Sequence, residues 1–140
     1  MDSVYYLLRE PLYTYSTIRR YLMSPKKMHN YLKSQGYPGG YRQYLLGKTW
    51  GSIRSRVMKR DRWTCQCCGN KGDNAHHIKY TPRNLSGRSE LKFIITLCRT
   101  CHEDIHAGNT LSKANRILSA KMIRNGRGNL KTWISRKGVK

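Results

Sequence analysis

Cys65-Gln66-Cys67-Cys68-Gly69, then His76-His77-Ile78, then Leu97-Cys98-Arg99-Thr100-Cys101-His102 and His106 form the stretch on which the reading of this chain turns. Cys65 and Cys68 make one Cys-x2-Cys pair and Cys98 and Cys101 a second. Four thiolates in two such pairs are the ligand set of a closed, tetrahedral structural zinc site. The 29 residues between the pairs exceed the span of a simple ribbon, so the segment between them must itself be structured. Cys67 is in the register of neither pair and is expected to be a bystander. All five cysteines fall between residues 65 and 101, an odd and clustered set that points to metal in a reducing compartment before disulfides.

Four of the five histidines lie in the same stretch. His102 and His106 are four residues apart, so on a helix opened near Cys101 they project from one face with Cβ atoms about 5–6 Å apart, which suits one cation. In a strand, His76 and His77 point to opposite sides, so one can ligate that cation while the other faces a separate task. His29 stands alone and is expected to be an ordinary histidine.

Working outward, the 140 residues carry 28 Lys+Arg against 7 Asp+Glu, a formal net charge of +21. Residues 11–60 hold 11 basic and no acidic residues, and residues 105–140 hold 9 and none, around a middle of 7 against 5. Solubility alone tolerates mixed signs, whereas long one-sign segments fit phosphate tracking, so a nucleic acid is the expected partner. No apolar run approaches the roughly 18 to 20 residues of a membrane span, and no signal peptide is evident, so an intracellular, cytoplasmic protein is expected.

Three segments are expected: a Tyr-rich basic module over 1–48, a core over 49–108, and a basic helix with tail over 109–140. Nine of the ten tyrosines lie in the first 44 residues. Ser16 can cap a helix through Leu22, and Ser24-Pro25 opens a second that Gly36 stops. Such a pair suggests either a helix-turn-helix or a pad whose Tyr rings pack on the core. Residues 36–40 read as a turn or linker. Trp50, Ile53 and Val57 recur at helical spacing over 50–60, as do Leu111, Ala114, Leu118 and Met122, ended by Asn125-Gly126. Residues 127–140 have little periodicity and are expected to be a mobile basic tail.

Residues 54–106, through Arg60-Asp61, the two cysteine pairs, His76-His77-Ile78, Ile95-Thr96-Leu97-Cys98 and His102 with His106, resemble an HNH endonuclease of the zinc-knuckle, ββα-metal type. The resemblance covers a little over a third of the chain, implies a bacterial or phage-infected host cell, and leaves the flanking arms open, since small HNH proteins of phage and intron origin vary there. It implies an α+β fold: a small zinc-stabilised, treble-clef-like ββα-metal core flanked by basic helical extensions. It also implies a structural zinc on Cys65, Cys68, Cys98 and Cys101, with His77 as general base. His76, His102 and His106 match the ligands of one catalytic divalent ion, Mg²⁺, Mn²⁺, Ni²⁺ or Zn²⁺. Three imidazoles favour the last three over Mg²⁺ in affinity. The implied substrate is double-stranded DNA, nicked or cut to 5′-phosphate and 3′-hydroxyl ends, with RNA left open. One position departs: the family's middle Asn, which holds the catalytic loop, falls on Phe93. A non-cleaving zinc-dependent nucleic-acid-binding module is therefore the alternative.

Overall fold

The expected cap at Ser24 forms in the computed structural model, which describes residues 24–138. Its side chain accepts from the Lys27 backbone N–H at 3.3 Å, Pro25 takes the first turn, and helix α1 runs over Pro25–Ser34. Met28, Tyr31 and Leu32 are its buried face. Gly36, at φ +96°, follows the end of the helix, a backbone region that only glycine enters without strain. The helix expected over Ser16–Leu22, and with it the helix-turn-helix suggestion, lies outside the described residues.

The chain divides into two units, the first of which comprises residues 24–53 and 79–90 among those described. Within it, the segment read as a turn is followed by a short helix α2, Tyr41–Leu45, without a side-chain cap. Tyr44 anchors it: the hydroxyl donates to the Leu85 carbonyl at 2.7 Å, and the ring meets those of Tyr37, Tyr41 and Trp50 within about 6 Å. Trp50 belongs to helix α3, Lys48–Arg60, whose first six residues count with this unit and the rest with the second. Helix α4, Pro82–Ser86, is held by a capping box in which Thr81 Oγ1 accepts from Asn84 N and Asn84 Oδ1 from Thr81 N. Its Leu85 is buried. Tyr31, Tyr37, Tyr41 and Tyr44 thus serve packing within this unit. His29 is likewise structural, its Nδ1 accepting from the Tyr41 N–H at 3.3 Å.

The second unit comprises residues 54–78 and 91 onward. Strand β1, Asn74–His77, pairs antiparallel with β2, Ile94–Leu97, in the register Asn74 to Leu97 and His77 to Ile94. A 3-10 turn, Leu91–Phe93, leads into β2, and helix α5, Arg99–His106, leaves it. Helix α6, Leu111–Arg124, buries Ala114, Leu118 and Met122 as the sequence predicts, and is capped by Thr110 and Asn125. The class is therefore α+β, with a two-stranded sheet under helices.

The C-terminal residues correct the sequence reading. In place of a mobile tail, residues 130–138 form helix α7, Leu130–Gly138, and Trp133 is 2% exposed within the core that also holds Ile95, Leu97, Ile105 and Leu118. Its indole N–H donates to Gln66 Oε1 at 3.0 Å. Leu130, Trp133 and Ile134 do stand at i, i+3 and i+4, but five cations among residues 127–140 obscured so short a stripe. No helix among the described residues is long and apolar enough to cross a membrane.

Candidate metal centres

The first cysteine pair sits in the loop between α3 and β1, the second at the junction of β2 and α5. Gly69 closes the first turn: its N–H donates to the Cys65 carbonyl at 2.8 Å, and its φ of +86° is one only glycine tolerates freely. Cys98 is the N-cap of α5 and accepts from the Cys101 N–H at 3.4 Å. The sheet register joins the two turns, with Gln66 N donating to the Thr96 carbonyl at 2.9 Å. As a result the sulfurs of Cys65, Cys68, Cys98 and Cys101 all lie within 4.8 Å of one another.

Metal–sulfur bonds of about 2.3 Å at tetrahedral angles set an S···S edge of about 3.8 Å. The Cys68–Cys98 separation is 3.7 Å. The donor chemistry agrees: burial, followed by the neighbouring sulfurs, pushes the Cys101 thiol up, so four thiolates here require a cation between them. Against burial, backbone N–H groups of Cys98, Cys68 and Cys67 hold Cys65 below the usual thiol range. The four can therefore hold a metal ion. Cys67 is not among them; fully buried, it packs in the core, and its carbonyl accepts from Asn125 Nδ2 at 2.7 Å.

The second cluster is built by β1 and α5. His102 and His106 do share one helix face, with Nε2 atoms 3.0 Å apart, and the His76 ring stands 5.9 and 6.0 Å from theirs. One ring nitrogen of each lies within 4.8 Å of the others. Metal–nitrogen bonds of about 2.0–2.1 Å set edges of about 2.9–3.4 Å between octahedral and tetrahedral arrangements, so the helical pair fits one ion without rearrangement. Burial lowers the His76 pKa to about 4 and also lowers that of His102, which leaves lone pairs for a metal at neutral pH.

His77 points away from this cluster. It is 2% exposed, and burial lowers its pKa to about 3. Above the ordinary histidine pKa of about 6.5 neither His76 nor His77 is protonated in either the folded or the unfolded chain. As pH falls below that value the unfolded chain takes up protons that the folded chain refuses, so stability is lost toward about 4 for His76 and about 3 for His77. The unfolding free energy in urea of protein stripped of weakly held metal should fall with acid by about 1.4 kcal/mol per pH unit per histidine, and His77→Gln should remove one proton's share. A flat profile between about pH 6 and 4.5 would contradict this burial.

Sequence reasoning missed Asn115 and gave the Arg60–Asp61 pair no role. Asn115 of α6 donates through Nδ2 to the Ile78 carbonyl at 2.8 Å and turns Oδ1 toward His76 Nε2 at 3.4 Å. It thereby ties the end of the histidine strand to α6, and no pattern in the sequence marks it. Asp61, with a fully buried carboxylate, receives two bonds from Arg60 at 2.7 and 2.8 Å and one from the Thr96 N–H, while Arg60 also reaches the Leu91 and Ile94 carbonyls. This pair fixes the end of α3 to the strand that leads into Cys98. Its signal was available, since Asp61 is the first acidic residue after Glu10. Phe93 packs half-buried against the core, and its carbonyl accepts from the Ile78 N–H at 2.7 Å.

Residues 57–113, which contain all seven clustered cysteine and histidine ligands and His77, match the model of a family described as a protein of unknown function, DUF968. No curated protein and no solved structure matches the chain.

Proposed function

We propose that the protein is a metal-dependent endonuclease of the HNH, ββα-metal type that hydrolyses phosphodiester bonds of double-stranded DNA, with a structural zinc on the four cysteines. The observation that carries this reading is the convergence of His76, His102 and His106 on one point while the adjacent His77 faces the other side of the same strand. The order β1, β2, α5 and the net charge of +21 support it.

In this reading His76, His102 and His106 hold one divalent ion, which when bound neutralises the phosphate and assists the leaving 3′-oxygen. His77, neutral at pH 7, takes the proton of the attacking water, and a phosphate nearby would raise its basicity from the low value that burial imposes. Asn115 restrains the loop after His77 by holding the Ile78 carbonyl, a task the family gives to the residue at position 93. The basic segments bind the DNA backbone. Five cysteines free of disulfides fit a reducing, intracellular setting.

A second reading is a zinc-dependent nucleic-acid-binding module that does not cleave. His77's 2% exposure favours it, because water must reach a general base. Supercoiled plasmid incubated with purified protein, with EDTA or with Mg²⁺, Mn²⁺, Ni²⁺ or Zn²⁺, separates the two. Metal-dependent nicking with 5′-phosphate ends supports the nuclease, and retention of DNA without nicking under every metal supports the module.

Phe93 supplies a further expectation. Because its ring packs on the core and Asn115 already holds the loop, Phe93→Asn should cost about 1–3 kcal/mol in urea unfolding and should not raise nicking. A gain of nicking in that variant would mark Phe93 as a lesion in a decaying site.

A further inference from the structure

Gln66 of the first cysteine turn, Arg127 of the α6–α7 connection, and Thr132, Trp133, Arg136 and Lys137 of α7 line a cleft of about 600 Å³ that neither metal cluster uses. Three of these residues are cations and none is acidic. Lys137 does reach Asp61 at 3.3 Å, but Arg60 binds that same carboxylate, so two cations share one buried anion and the group keeps a net positive charge. Arg127 is fixed by its own bond to the Gln66 carbonyl at 3.3 Å, which couples the cleft to the folded cysteine turn.

Trp133 decides what kind of ligand fits. Its ring is flanked by Arg60 at 5.1 Å and Lys137 at 5.5 Å and is buried, so it offers a nucleobase no stacking surface. What remains is a concentration of fixed positive charge, with the Arg136 guanidinium exposed at its edge. That chemistry recognises oxyanions, and beside a chain of net charge +21 the oxyanion-bearing partner is a polyanion.

We infer that this cleft between the first cysteine turn and α7 is a second nucleic-acid contact, holding backbone phosphates of a DNA strand away from the histidine cluster. The inference rests on the nucleic-acid part of the proposed function and is independent of cleavage. The test is fluorescence anisotropy of the full, zinc-loaded chain with a DNA duplex of about 20 base pairs over a salt series. Arg136→Glu is compared with Lys131→Glu, an equal charge change on an exposed residue of the same helix outside the cleft. Thr132→Glu is the second variant: it puts a carboxylate in the cleft from the first turn of α7, where negative charge favours the helix, so weak binding cannot be ascribed to unfolding.

Arg136→Glu and Thr132→Glu should weaken duplex binding at least about 10-fold at about 0.1 M salt and flatten the log–log salt slope by about one, against less than about 3-fold for Lys131→Glu. Equal weakening by Arg136→Glu and Lys131→Glu would overturn the inference. So would losses seen with polyglutamate but not the duplex, which would make the cleft an acidic-peptide site. Displacement of the duplex by inorganic phosphate at about 1 mM beyond its ionic-strength effect would do the same, as a small-anion site. A protein that binds DNA through the cleft yet never nicks plasmid leaves this inference standing while the nuclease reading fails. Nicking that depends on the histidines but is indifferent to the cleft variants does the reverse.

Discussion

Cys98→Ser should release the metal held by the cysteine cluster and unfold the second unit. The substitution is informative because serine can still accept the Cys101 N–H and cap α5, so the cap at 3.4 Å is replaced and the sulfur ligand alone is lost. Structural zinc sites contribute about 10–16 kcal/mol of apparent binding energy in small peptides, and domains of this size have net stabilities of only about 5–15 kcal/mol. Losing one of four ligands therefore removes a term comparable to the whole stability. The apolar core around Ile95, Leu97, Ile105 and Leu118 does not compensate, because both cysteine turns hold the Asn74–Leu97 end of the sheet to which that core belongs. The control is Cys67→Ser, more deeply buried than Cys98 but outside the cluster, which should cost about 1–3 kcal/mol and keep the metal. Elemental analysis after passage over a chelating resin should give one zinc per chain for the parent and for Cys67→Ser, and none for Cys98→Ser. A Cys98→Ser protein with full zinc and an unchanged melting temperature would sink the assignment.

The cysteine and histidine clusters were legible because the geometry of their parts is local. A Cys-x2-Cys turn, a His pair in a strand and an i, i+4 His pair on a helix each fix their donor atoms within one short element, so spacing alone predicts what the chain then brings together. Helices α1, α3 and α6 were legible for the same reason, having caps or stripes long enough to read. What escaped was structure whose cause is tertiary. Helices α2 and α4 have five residues each, too few for a period, and exist because Tyr44 bonds the Leu85 carbonyl and because Thr81 and Asn84 close a capping box. Helix α7 was hidden by its own charge, although Trp133 is a core residue whose indole bonds the cysteine turn. Asn115, and the role of the Arg60–Asp61 pair, escaped in another way: each holds a backbone group more than thirty residues away, and nothing in sequence spacing records which carbonyl a side chain will reach.

The adjacent histidines should separate by their response to metal. His76 and His102 lie in the imidazole cluster, so if the protein is the proposed nuclease, replacing either with alanine should remove a ligand and raise the metal concentration needed for cleavage, and excess Mn²⁺ should restore part of the rate. His77 faces away, so His77→Ala should bind metal and DNA as the parent does yet nick at least about 100-fold more slowly at every metal concentration. Burial complicates that variant, because removing a ring that is 2% exposed also leaves a cavity. His77→Gln guards against this, since it retains polar bulk without a basic nitrogen and should lose nicking while melting near the parent. The decisive readout is thus the split between metal-rescued and metal-insensitive loss, which a purely structural role for His77 would not produce. If excess Mn²⁺ rescued His77→Gln as well as His76→Ala, His77 would not be the base. If His77→Gln nicked as fast as the parent, the ring would be a packing histidine and the proton would have to go elsewhere.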